Sequence, residues 1–98
     1  MLLIRDIMYC KPGKVRPMVE KFLAMAKLTA KKGGKMRVLT DVSAERFWTI
    51  VSEFEVESVD AFMAMGESSE DMKEFEAIMK GYHELVDHGR REIYTIEG

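Results

Sequence analysis

A chain of 98 residues with 47% apolar and 33% charged residues, seven glycines and two prolines suits one globular domain over residues 1–98 and excludes a disordered or collagen-like chain. The net charge of −2 speaks against a generic nucleic-acid binder, yet Lys and Arg outnumber Asp and Glu 11 to 4 in residues 1–46 and are outnumbered 13 to 4 in residues 47–98. A single cysteine closes no internal disulfide, no run reaches the roughly 18–20 apolar residues of a membrane span, and Arg5 and Asp6 interrupt the opening apolar run, so a cytoplasmic protein without signal peptide, membrane role or nucleic-acid partner is expected.

Leu2 to Cys10 is apolar on both alternating faces and is closed by Lys11-Pro12-Gly13, which reads as a buried strand and a turn. From Val15 the residues Met18, Val19, Phe22, Met25 and Ala26 fall at helical spacing, Pro17 is tolerated in the first turn, and Gly33-Gly34 ends the helix. Residues 35–42 and 47–56 alternate with period two around the polar segment 43–46 and predict a hairpin. Ser58 opens a second helical region, broken at Gly66 and restarted by a capping pair of Ser68 and Asp71. Met72, Phe75, Met79, Tyr82 and Val86 form one stripe along it, Gly89 ends it, and residues 91–96 read as a last strand.

The order is that of an α+β, ferredoxin-like βαββαβ sandwich: an antiparallel four-stranded sheet with two helices on one face. Two helices leave the other face bare, while strand one carries Leu2, Ile4 and Met8 on one side and Leu3, Ile7 and Tyr9 on the other. A second copy of the same sheet is the simplest cover, so a homodimer through the sheet face is expected. Alternation puts Arg5 and Asp6 on opposite faces, where one of them must be paired; Glu53, Glu55 and Arg37 are available partners.

The turn Lys11-Pro12-Gly13-Lys14-Val15, the strand exit Glu55-Val56-Glu57-Ser58 and the segment Gly89-Arg90-Arg91-Glu92-Ile93-Tyr94 resemble the dimeric α+β barrel superfamily, in its NIPSNAP-like and antibiotic-biosynthesis-monooxygenase-like branches. The resemblance implies two ferredoxin-like protomers packed sheet against sheet. It also implies activities such as cofactor-independent monooxygenation, haem degradation or isomerisation of small hydrophobic molecules, although many members have no assigned reaction. Haem-degrading members carry an asparagine on strand one, with a tryptophan and then a histidine on helix two. His83 suits the last place, but the sequence has no asparagine and its one tryptophan, Trp48, falls on strand three, so haem degradation is not expected.

His83, beside Tyr82 at the edge of the helix-two stripe, suits an acid or base and equally an ordinary exposed histidine. Asp6 is the other candidate base. Tyr9, Trp48, Met72, Met79 and His83 make a candidate pocket for a small hydrophobic molecule, and each suits plain core packing as well. His88 beside Gly89 fits a helix C-terminus, the basic run of Lys27, Lys31, Lys32, Lys35 and Arg37 fits a solvated helix end, and Cys10 fits a buried structural thiol. No phosphate loop, dinucleotide fingerprint, metal-site spacing or Ser/His/Asp signature is present, so neither metal nor cofactor is expected. Two functions remain open: a protein that binds or transforms a small hydrophobic molecule, as a cofactor-independent monooxygenase does, or a noncatalytic dimerisation module packed with its own side chains. A void of roughly a few hundred Å³ touching His83 separates them.

Overall fold

The Lys11-Pro12-Gly13 turn sends the chain from strand β1 (Leu2–Cys10) into helix α1 (Val15–Lys31). The computed structural model describes residues 1–31, 33–65 and 69–98, with side chains of the last run from residue 72 on. Strands β2 (Met36–Thr40) and β3 (Thr49–Val56), helices α2 (Val59–Ala64) and α3 (Ser69–Met79) and strand β4 (Val86–Thr95) complete it. The sheet order is β2-β3-β1-β4 with every pair antiparallel, as the ferredoxin-like α+β reading requires. Because β1 lies between β3 and β4, both of its edges are paired, which suits the most apolar strand of the sheet.

The helix α1 lays Met18, Val19 and Phe22 on Cys10 and Ile50 of the sheet, with Met79 of α3 closing the cluster. Lys21 fastens the two helices: its ammonium donates to the carbonyls of Ile78 and Lys80 at 3.2 and 2.5 Å, satisfying acceptors that the end of α3 leaves open. The α2 start is fixed by Ser58, whose hydroxyl accepts from the Ala61 amide at 3.0 Å. The break expected at Gly66, the capping pair of Ser68 with the Asp71 side chain, and Lys32 of the basic run lie outside the described residues.

Three expectations need correction. The hairpin strands are shorter than their alternation suggests, because the Asp41 carboxylate accepts from the Thr49 amide at 2.9 Å and closes the loop early. Trp48 then falls before the strand, half-exposed, with a left-handed φ of 63° that a bulky residue adopts only at a cost of about 1–3 kcal/mol. The second correction concerns the long helical stripe. The helix α3 stops at Met79, Gly81 takes a φ of 82° that frees the chain to turn, and Tyr82–Glu84 forms a single 3₁₀ turn before β4 begins at Val86. His88 and Gly89 therefore sit in a strand rather than at a helix end.

In that strand Gly89 is required by space: a Cβ there would stand 2.8 Å from the Ile7 carbonyl oxygen and 3.3 Å from Met8 Cγ. Backbone does not yield as a flexible side chain does, so Gly89→Ala is expected to destabilise the fold by about 1–3 kcal/mol. Thermal unfolding of the variant within a degree of the wild type would show that the β1–β4 pairing has slack.

The third correction is the helix-free face, expected to be largely apolar. It carries an ion-pair ladder across all four strands instead. Arg5 donates to Glu53 at 2.8 Å and to Glu92 at 3.0 Å, Arg37 also donates to Glu53, and Arg90 donates to Glu92 at 3.0 Å and to the Tyr9 hydroxyl. Ile7, Tyr9, Thr49 and Glu53 are buried on this face, while Leu39, Tyr94 and Ile96 stay partly in water around the ladder. Arg5 is thus the charge on the helix-free face, and Asp6 is the one beneath the helices.

Candidate functional site

Alternation along β1 and β3 turns Asp6, Met8, Ser52 and Phe54 toward the helices. The helices α1 and α3 do not close over them completely. Phe22 and Met25 from α1 and Phe75 and Met79 from α3 stand as walls, Phe62 from α2 covers one end, and the gap between these elements is a cavity of about 1200 Å³, open to solvent along one side. Small-molecule pockets typically hold roughly 300–1,000 Å³, so the space admits a ligand of several rings. Seven of the nine methionines line it, giving walls that adapt to the shape of an apolar guest.

His83, Asp6, Met72 and Met79 of the expected site residues all border this cavity. His83 is exposed in the 3₁₀ turn, with its ring 4.0 Å from the Tyr82 ring. Tyr9 and Trp48 do not join them. Tyr9 belongs to the odd-numbered face of β1, where its hydroxyl accepts from Arg90 and its ring lies 4.9 Å from both the Arg46 guanidinium and the His88 ring. Trp48 lines a separate depression of about 420 Å³ with Phe47, Arg16 and Asp41.

The polar element of the cavity was not foreseen. Arg91 donates through Nε to Asp6 Oδ1 at 2.6 Å and through Nη2 to Oδ2 at 3.3 Å, and its guanidinium lies 4.9 Å over the Phe62 ring. Asp6 and Arg91 are direct register partners across β1 and β4. Starting the last strand at Arg91 hid that partnership; antiparallel pairing begun at Val86 would have disclosed it. Both oxygens of the Asp6 carboxylate are thus committed to Arg91, and His83 stands at the rim of the same cavity.

Elsewhere the titratable groups behave as structural parts. Burial, and then the charge of Asp41, pushes the Cys10 thiol above its ordinary pKa, so it stays protonated and inert. Hydrogen bonds from Arg90 and then Tyr94 hold the Glu92 carboxyl below the usual range. Among the described residues no group of three His, Cys, Asp or Glu side chains is placed to hold a metal ion, and no described helix is long and apolar enough to cross a membrane.

No family model matches the sequence, and no curated protein matches it either. Solved structures do match the fold. A NIPSNAP domain protein of Burkholderia xenovorans superposes with a TM-score of 0.73 at 11% identity, covering 98% of this chain and 94% of that one. A candidate antibiotic biosynthesis monooxygenase of Nitrosomonas europaea gives 0.74 at 13% identity over the whole of both chains. This chain has the NIPSNAP-like and antibiotic-biosynthesis-monooxygenase-like fold. A candidate monooxygenase of the same kind from Deinococcus radiodurans agrees, at a TM-score of 0.72 and 11% identity over 100% of this chain and 94% of that chain. At such identities the likeness of NIPSNAP-like and monooxygenase-like proteins to this chain is one of backbone, and residue roles must come from its own cavity.

Proposed function

We propose that this protein binds a small hydrophobic molecule in the cavity between sheet and helices and oxygenates it without a cofactor, with His83 as the base. The observation that carries this reading is the cavity itself: about 1200 Å³, walled by methionine and phenylalanine, with a histidine at its rim. A dimerisation module packed with its own side chains has no use for such a space. In a reaction of this kind the bound molecule loses a proton, the resulting carbanion or enolate passes electrons to dioxygen, and the protein supplies a base and groups that stabilise the anion. The fold relatives described as monooxygenases support the assignment at the level of architecture. We further propose a homodimer, with a second copy seated on the helix-free face over the ion ladder and its apolar margin. The interface is expected to exceed about 1,000 Å² of total area.

Native mass spectrometry of freshly purified protein tests both parts. A dimer that carries a small apolar adduct, or takes one up on incubation with hydrophobic aromatics, is expected; a ligand-free monomer that takes up none would remove the reading. Haem is not the expected substrate, because the sequence has no asparagine to steer oxygen and its closest substitute on strand one, Asp6, is a carboxylate tied to Arg91. Protein mixed with haemin and a reductant should leave the Soret band unchanged. Steady bleaching with a bilin-like product, abolished by His83→Ala, would reassign the protein.

A further inference from the structure

We infer that the ligand of this cavity carries one acidic group, a carboxylate or an ionising enol or phenol, on an otherwise apolar body, and that Arg91 holds that group. The inference rests on the cavity being the ligand site proposed above. An ion pair is a poor choice for lining an apolar space on grounds of stability, since apolar side chains of similar volume commonly serve as well or better. Its presence here makes sense as recognition. Two fixed contacts hold the Arg91 guanidinium: the paired oxygens of Asp6 set its plane, and the Phe62 ring supports one face. These contacts use Nε and Nη2, and Nη1 has no protein acceptor among the described residues. A donor thus remains at the edge of a pocket lined mainly by methionine and aromatic side chains, with Lys35, Glu55, Asp87 and Arg90 also on its border.

The sign of the preferred charge follows from which partner is accessible. The Arg91 side chain is 51% exposed, whereas the Asp6 side chain is 21% exposed and both its oxygens already accept from Arg91. An incoming cation would have to compete with Arg91 for Asp6, while an incoming anion meets a guanidinium with donors to spare. The methionine walls impose little on the shape of the apolar body, so selection falls on the charged end more than on the outline of the rest.

A matched pair of fluorescent probes separates this inference from the reading beneath it. 8-Anilino-1-naphthalenesulfonate is an apolar aromatic body with one anionic group, and N-phenyl-1-naphthylamine is the same body without it. Titrated into the full chain, the anionic probe should bind about tenfold tighter or more, the difference expected for one charge-assisted hydrogen bond. Arg91→Gln should abolish that preference by weakening the anionic probe alone. The pair Asp6→Asn with Arg91→Gln, which leaves no stranded carboxylate, should do the same, and retained binding of the neutral probe reports that the cavity is intact. Equal affinity of the wild type for the two probes, or an anion preference that survives Arg91→Gln, overturns the inference and leaves the apolar cavity standing. Failure of the wild type to bind either probe overturns both.

Discussion

Replacing Phe22 by alanine is expected to cost about 3 kcal/mol of stability, the lower end of the range of about 3–5 for deleting a buried aromatic side chain. Phe22 is 4% exposed and sits on the buried stripe of α1, in the cluster with Ile50 of β3 and Met79 of α3. Truncation removes contacts to three elements at once. It does not leave a sealed void, because Phe22 also borders the open cavity, and the vacated space merges with a volume that solvent already reaches. That continuity removes part of the usual cavity penalty and sets the lower figure. Phe75, on the opposite wall, is 42% exposed and should lose only about 1 kcal/mol on the same truncation, in proportion to the area it hides from water. Urea unfolding of the two variants tests the contrast, since equal losses would mean that α1 and α3 share the core evenly and that the gap between them is not a site.

The architecture was legible from periodicity because two signals agreed at each step. A short run apolar on both faces and closed by a turn marked β1, period-two runs marked the β2–β3 hairpin, and a helical stripe between glycines marked α1. The ion pairs of the helix-free face were partly legible as well: Arg5 in an apolar strand demands a partner, and Glu53 of β3 meets it and is itself met by Arg37 of β2. What failed were readings that local pattern cannot decide. Met79, Tyr82 and Val86 continue a helical spacing although the chain has turned at Gly81, because both a helix and a turn followed by a strand can bring such residues to the same core. That error displaced the start of β4, and with it the register that sets Arg91 opposite Asp6. Tyr9 was grouped with His83 as an aromatic near a candidate site, yet the strand period alone places it on the face that His83 does not share. The cavity itself was invisible in one dimension: it depends on how far α1 and α3 stand apart, and side-chain spacing does not encode that distance.

Arg5→Met should destabilise the protein by about 2 kcal/mol, less than the roughly 3–5 lost when a fully buried ion pair is broken. Arg5 joins two carboxylates, Glu53 at 2.8 Å and Glu92 at 3.0 Å, and Glu53 is itself only 8% exposed. Without Arg5, Glu53 keeps Arg37 alone, whose side chain is 73% exposed and therefore holds a weak, screened contact. A third of the Arg5 side chain already lies in water, which is why the full buried-pair loss is not expected. Adding Glu53→Gln removes the stranded charge, so the double variant should lose less than the two single losses combined. The acid limb supplies a second check with a definite sign. The Glu92 pKa is depressed in the folded chain, so its contribution is complete above the ordinary carboxylate pKa of about 4.3 and fades as the pH falls through and below that value. The gap between wild type and Arg5→Met should shrink slightly over the same interval, because Arg90 and Tyr94 hold this carboxyl more strongly than Arg5 does. If a second copy covers this face, the gap at neutral pH will also widen with protein concentration, because the stranded Glu53 then lies inside an interface. Additive losses, or a gap unchanged between pH 7 and about pH 3, would reduce the ladder to surface decoration without energetic consequence.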